Sequence, residues 1–113
     1  LSGSTGMSLG RFLAELGATQ QLIVISHLPQ VAAAADQHLH VHKAERDERT
    51  ETDVTMLDDA GRLRELSRML GAAELASDTA LRHAQALIDE QRGSRLATAS
   101  GEFAGRHAAT AQA

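Results

Sequence analysis

The sequence contains no cysteine, no tryptophan and no tyrosine, and aromatic residues make up only 2% of its 113 residues. Without cysteine, neither a disulfide framework nor a Cys-based zinc site can form. A core must therefore be built from Leu, Ile, Val, Ala and Met, and the 42% hydrophobic content allows this in one small domain. No apolar run approaches the ~20 residues that a membrane-spanning helix requires.

An excess of basic residues is also missing. Lys and Arg number 11 against 15 Asp and Glu, and the formal net charge is -4. Because neutralising phosphates requires clustered basic residues, this chain is not expected to be a DNA-binding surface by itself, although a larger parent protein can still bind DNA. The first residues lack the basic and long apolar regions of a signal peptide. They also lack an initiator Met, so we interpret the chain as a fragment.

The central signal is a continuous apolar run, Leu22–Ile25. Such a run, rich in β-branched residues, predicts a strand buried on both faces within a parallel sheet. Its neighbours are expected in sequence outside this chain. Residues 1–6, rich in Gly and Ser, predict a loop. The helix that follows has an amphipathic stripe formed by Leu9, Phe12, Leu13 and Leu16.

Downstream, strict alternation of polar and apolar residues predicts an antiparallel hairpin with a charged turn at residues 44–49. Asp58 or Asp59 is expected to cap a helix that buries Leu63, Leu66 and Leu70 and exposes Arg62, Arg64 and Arg68. Ser77 is expected to cap a last helix that buries Leu81, Ala84, Leu87 and Ile88 and ends at Gly93. Residues 94–113, mostly Ala, Gly, Thr and Ser, predict a disordered tail. The fold class is therefore α/β.

Three histidines, His38, His40 and His42, alternate along the first hairpin strand, so their rings face one side. Three imidazoles on one face can bind Zn²⁺, but same-face neighbours lie ~7 Å apart, which is wide for a tetrahedral site. We therefore predict no metal site and expect a solvated face opposite buried Leu39 and Val41. The alternative function is a small non-enzymatic module that binds a metal or a partner through this strand.

His27 follows the apolar strand directly. In open α/β sheets, ligands bind just beyond the carboxyl ends of strands. An imidazole placed there can donate a hydrogen bond to a phosphate oxygen or orient an attacking water. A lone histidine after a strand is more often structural, so this position alone does not decide between the two roles.

The surrounding residues add a resemblance. Residues 23–32 read Ile-Val-Ile-Ser-His-Leu-Pro-Gln-Val-Ala, and residues 62–71 read Arg-Leu-Arg-Glu-Leu-Ser-Arg-Met-Leu-Gly. The first segment resembles the strand and switch loop of the RecN family, SMC-like ABC-type ATPases of bacterial DNA repair, and the second resembles the end of a helix in that family. The similarity extends over roughly residues 1–90, with the false-positive risk attached to any short motif. Another ABC or SMC relative is the nearest alternative.

The resemblance implies that residues 1–93 are the carboxyl-terminal part of an incomplete ABC/SMC-type ATPase head: one buried parallel strand, an antiparallel hairpin and flanking helices. His27 would be the switch histidine that senses the γ-phosphate of ATP, with Gln30 beside the nucleotide. Ser2, Gly3, Ser4 and Gly6 would form the D-loop, which touches the partner head. The opening Leu-Ser-Gly is not the ABC signature, because the strand after it ends in Ser-His rather than Asp-Glu.

Two parts of such an ATPase are missing from the sequence. It has no Gly-x-x-x-x-Gly-Lys-Ser/Thr loop to cradle phosphates and no apolar strand ending in Asp-Glu to hold Mg²⁺. The resemblance therefore places ATP and Mg²⁺ binding in the full-length parent. The expected partners are the remainder of the head, a second head in an ATP-sandwiched homodimer, and DNA through the parent. The expected location is the cytoplasm, associated with the nucleoid.

Overall fold

A computed structural model describes the backbone of residues 3–72, 77–99 and 108–112, and the side chains of residues 3–72 and 77–94. The elements in chain order are α1 (Gly3–Gly17), β1 (Leu22–Ile25), α2 (Pro29–Ala33), β2 (Gln37–Arg46), β3 (Arg49–Met56), α3 (Asp59–Met69), α4 (Asp78–Ala99) and β4 (Ala108–Gln112). The mixture of helices and strands agrees with the predicted α/β class. None of the described helices is both long and apolar enough to cross a membrane.

The four strands form one sheet in the order β1-β4-β2-β3. β4 is parallel to both of its neighbours, whereas β2 and β3 are antiparallel. The predicted hairpin is confirmed, and its register runs from Leu39 opposite Met56 to Arg46 opposite Arg49. Asp47 and Glu48 join the strands with φ values of 51° and 62°, the pair of positive angles that a two-residue hairpin turn requires.

The structure differs from the expected disordered tail. α4 continues past Gly93 to Ala99, and residues 108–112 form β4. A single glycine costs a helix only about 1 kcal/mol relative to alanine, so the flanking helix-forming residues outweigh it. A strand between two others is ordered by backbone hydrogen bonds on both sides, which composition does not reveal. Residues 100–107 lie outside the described residues.

The start of α1 also differs from expectation. Residues 3–6, predicted as loop, form its first turn, while Leu1 and Ser2 lie outside the described residues. The buried face is the small-residue series Gly6, Gly10, Ala14 and Gly17. Of the predicted stripe, Leu9 is 39% and Phe12 59% exposed, whereas Leu13 and Leu16 are half-buried, so the small residues rather than the stripe form the buried face. The cause is close packing of α1 on the segment that begins with α2, which only small residues permit.

The described helices cover only one side of the sheet. Ile23 and Ile25 of β1, expected to be buried, are 66% and 74% exposed. The predicted orientation of β2 is wrong as well: His38 is 1% exposed, whereas Leu39 and Val41 are half-buried. The histidine side of β2 faces the helices, because the Nε2 atom of His40 lies 3.8 Å from a Glu65 carboxylate oxygen on α3.

The core forms among α2, α3 and α4, and consists of Ala32, Ala33, Leu66, Ala84 and Ile88. The predicted buried stripes of the last two helices therefore supply its larger side chains. Both predicted caps are confirmed. The Asp58 Oδ1 atom accepts a hydrogen bond from the Gly61 N–H at 2.7 Å, and the Ser77 Oγ atom accepts one from the Ala80 N–H at 3.2 Å.

Arg62 ties α3 to the end of α2. Its side chain, expected to be exposed, is 8% exposed. The Nη2 atom donates to the carbonyl oxygens of Ala32, Ala33 and Ala35 at 3.0, 3.1 and 2.6 Å. The last carbonyls of a helix have no partner within the helix, and a cation is favoured beside them. The buried guanidinium therefore provides hydrogen-bond donors to the carbonyl groups at the end of α2.

Replacing Arg62 with Ala should lower the free energy of unfolding by about 3 kcal/mol, because a charge-assisted contact is lost and buried carbonyl groups are left without it. Urea denaturation followed by circular dichroism measures the change. Arg64→Ala, an exposed position on the same helix, is the matched control and should stay within about 0.5 kcal/mol of the parent. Equal effects of the two substitutions would contradict the assigned role of Arg62.

Candidate functional site

The carboxyl end of β1 leads into a short turn before α2. The Ser26 Oγ atom accepts a hydrogen bond from the Leu28 N–H at 3.1 Å, which shapes the turn. Pro29 then begins α2, as its fixed φ predicts. His27 lies in this turn with its side chain exposed. The imidazole is thus at the carboxyl edge of the sheet and open to a ligand, and its chemical role stays a prediction.

Gln30 lies against the start of α1. A Cβ atom built on Gly6 would lie 3.1 Å from the Gln30 Oε1 atom, and one built on Gly3 would lie 3.9 Å from its Nε2 atom. Three predicted site residues, Gly3, Gly6 and Gln30, are therefore brought together beside the turn that holds His27. Ser4 is exposed on the same helical turn. Ser2 lies outside the described residues.

Gln91 of α4 supports this arrangement and was missed by sequence reasoning. Its side chain is 1% exposed. The Nε2 atom donates to the Gln30 carbonyl at 2.9 Å and to the Met7 carbonyl at 3.3 Å. One amide thereby joins α1, α2 and α4. A signal was present, because position 91 continues the i, i+4, i+7 series that begins at Ala84 and Ile88.

Gly10 makes this junction possible. A Cβ atom at Gly10 would lie 2.7 Å from both the Gln30 carbonyl oxygen and the Gln91 Nε2 atom. These distances are well below ordinary contact, so any side chain here would separate α1 from the amide. The same close approach explains why Gly6 and Gly10, rather than Leu9 and Phe12, face the protein interior.

The histidines of β2 lie among acidic side chains, away from the turn that holds His27. The His40 and His42 rings stack with centroids 5.3 Å apart. His40 lies beside Glu65, and the His42 Nε2 atom lies 3.6 Å from an Asp53 carboxylate oxygen. Arg68 also donates to Glu65, and this hydrogen bond raises the pKa of Arg68. Across the described residues, no group of three or more His, Cys, Asp or Glu side chains is placed to hold a metal ion.

The groups exposed around this turn can donate hydrogen bonds to an anion. An exposed imidazole at a strand end can donate to a phosphate oxygen, and Gln30 carries a side-chain amide nearby. The described side chains offer no carboxylate cluster for Mg²⁺, and the sequence has no phosphate-cradling loop. The arrangement can therefore contribute groups to a phosphate site but does not form a complete one.

Comparison with known proteins gives a consistent set of relatives. The chain is 42% identical over 95 residues to "DNA repair protein RecN" of Streptomyces coelicolor and 46% identical over 93 residues to that of Mycobacterium leprae. It is 35% identical over 88 residues to that of Vibrio cholerae. No family model matches the chain.

These matches include most of this chain but little of each relative. They cover 84%, 81% and 78% of the chain and 16%, 15% and 16% of the three relatives, respectively. The chain thus spans about one sixth of the length of the curated relatives that it matches. What those proteins do as wholes does not transfer directly to this segment.

Replacing Gly10 with Ala should destabilise the chain by about 2 kcal/mol, because the new methyl group overlaps the Gln30 carbonyl and the Gln91 amide. Gly93→Ala is the matched control. Apart from its own helical turn, nothing among the described residues lies within 4 Å of a Cβ built at Gly93, so alanine there should stabilise the helix by about 0.5–1 kcal/mol. Urea titration of both variants measures the difference. A neutral Gly10→Ala substitution would show that the junction is looser than described.

Proposed function

The chain belongs to the RecN family of DNA repair proteins, and from this premise we propose that it is the carboxyl-terminal portion of a RecN-like ATPase. Such a protein would act in recombinational repair of DNA double-strand breaks. This portion would contribute the switch histidine and the D-loop to ATP hydrolysis at a dimer of heads. One observation carries the proposal: His27 stands exposed at the carboxyl end of β1, beside the contact between Gln30 and the start of α1.

The chemistry follows from that position. The His27 imidazole would donate a hydrogen bond to an oxygen of the γ-phosphate or hold the attacking water in line. Gln30 would lie next to the nucleotide, positioned through the hydrogen bond that its backbone carbonyl accepts from Gln91. Mg²⁺, when bound, neutralises charge that develops on the phosphates. Its ligands and the phosphate-binding loop would come from the rest of the parent protein.

The partners follow from the same scheme. The remainder of the head would supply the missing nucleotide-binding parts, and a second head would close over the ATP. Ser2, Gly3, Ser4 and Gly6 would lie at the seam between the heads, with residues 3–6 presented as the first turn of α1 rather than as a loop. DNA would be engaged by the parent, because this chain carries a net charge of -4. The location would be the cytoplasm, at the nucleoid.

The isolated chain should neither bind nor hydrolyse ATP, because it lacks the phosphate-cradling loop and the carboxylates for Mg²⁺. Equilibrium binding of a fluorescent ATP analogue and a phosphate-release assay measure both properties. Turnover by the isolated chain that disappears in His27→Ala would contradict the proposed division of the site between this chain and the rest of the head.

In intact Mycobacterium leprae RecN, replacing the residue aligned with His27 by Ala should lower ATP turnover about 100-fold, the lower range for losing a positioned acid or base. The melting temperature should change little, because His27 is exposed. The control is the residue aligned with His83, which is exposed on α4 here; its replacement by Ala should leave turnover unchanged. Normal turnover in the first variant would overturn the assignment of His27.

A further inference from the structure

One face of the sheet is apolar and lies open to solvent. We infer that helices from the remaining part of the RecN-type polypeptide dock on this face. The open sheet face, as we call it, is formed by six side chains from three strands: Ile23, Ile25, Leu39, Val41, Val54 and Met56. The inference rests on the proposal that this chain is one portion of a larger ATPase head.

Strand register places these residues on one side. Ile25 and Leu39 are both register partners of residue 111 in β4, and Leu39 is the partner of Met56. Residues opposite each other on neighbouring strands point to the same side of a sheet. Ile25, Leu39 and Met56 therefore lie on one side of the sheet, and Val41 opposite Val54 begins the next row in the β2–β3 hairpin.

The exposure of these side chains is large. Ile23, Ile25, Val54 and Met56 are 66%, 74%, 60% and 59% exposed, respectively. The described helices thus leave this face uncovered, while the opposite side buries His38 and brings His40 against α3. Lys43 and Thr52 form the next register pair beyond Val41 and Val54, so a polar pair borders the apolar area. An apolar patch with a polar border is typical of a docking surface.

The architecture favours a helical occupant. β4 lies between β1 and β2 and is parallel to both, and sheets of parallel strands are found with both faces covered by helices. The described residues supply a helical layer for one face only. None of the six side chains is charged, so the partner surface must be apolar rather than a charged peptide or nucleic acid.

The length of the relatives indicates where that layer comes from. The matched segment makes up 15 to 16% of each of the three RecN relatives. Most of the polypeptide of those relatives therefore lies outside the matched segment. Helices from the same polypeptide would bury the open sheet face permanently, without a separate binding partner.

Cysteine labelling tests the inference cleanly, because the chain has no cysteine of its own. Ile25→Cys in the full 113-residue chain and Cys at the aligned position of intact Mycobacterium leprae RecN are labelled with a maleimide, without nucleotide, and read by site-resolved mass spectrometry. Labelling should be at least about 100-fold slower in the intact protein, because access requires the covering layer to open. The control is Glu45→Cys, an exposed hairpin position, which should react at similar rates in both.

Met56→Cys on the far strand provides a second reporter and should show the same protection. Equal rates in chain and intact protein at both positions would overturn the inference. Protection in the isolated chain that grows with its concentration would also overturn it, since a second copy would then be the occupant. Because the assay uses no ATP, protection of the open sheet face is independent of whether His27 takes part in hydrolysis.

Discussion

The contact between the Arg62 guanidinium and the last carbonyls of α2 holds this fold together. α2 has only five residues, far fewer than the dozen or more that a helix needs to be stable alone in water. Its position must therefore be fixed from outside. Arg62 binds the end of α2, and Gln91 binds the Gln30 carbonyl near its beginning. Since His27 stands just before α2, the same two side chains set the place of the candidate phosphate-contacting imidazole.

Features with a local cause were predictable from the sequence. The hairpin, the Asp58 and Ser77 caps and the start of α2 at Pro29 each depend on a few adjacent residues, and the structure contains all of them. The position of His27 at a strand end belongs to the same class. The role proposed for that histidine rests on the resemblance to RecN.

Features that depend on which helix packs against an element were not predictable from the sequence. The stripe of Leu9 and Phe12 was identified correctly as apolar, but the side of α1 that is buried depends on how closely α2 approaches, and small residues allow the closer approach. The orientation of β2 failed for the same reason. Alternation separates its two faces, while the position of α3 decides that His38 faces inward. The burial of Gln91 was not predictable, because a buried amide is stable only with hydrogen-bond acceptors. Here these are the carbonyl groups of Met7 and Gln30, which come from other helices.

β4 joins two strands that do not touch each other. β1 and β2 are both paired with it, and no other described strand lies between them. The sheet therefore connects residues from opposite ends of the chain, a long separation that slows folding relative to local pairing. During synthesis, the helices and the hairpin have their contacts available early, whereas β1 must wait for β4 to leave the ribosome. Until then, the apolar strand that precedes His27 is open to pairing with whichever other strand reaches it first.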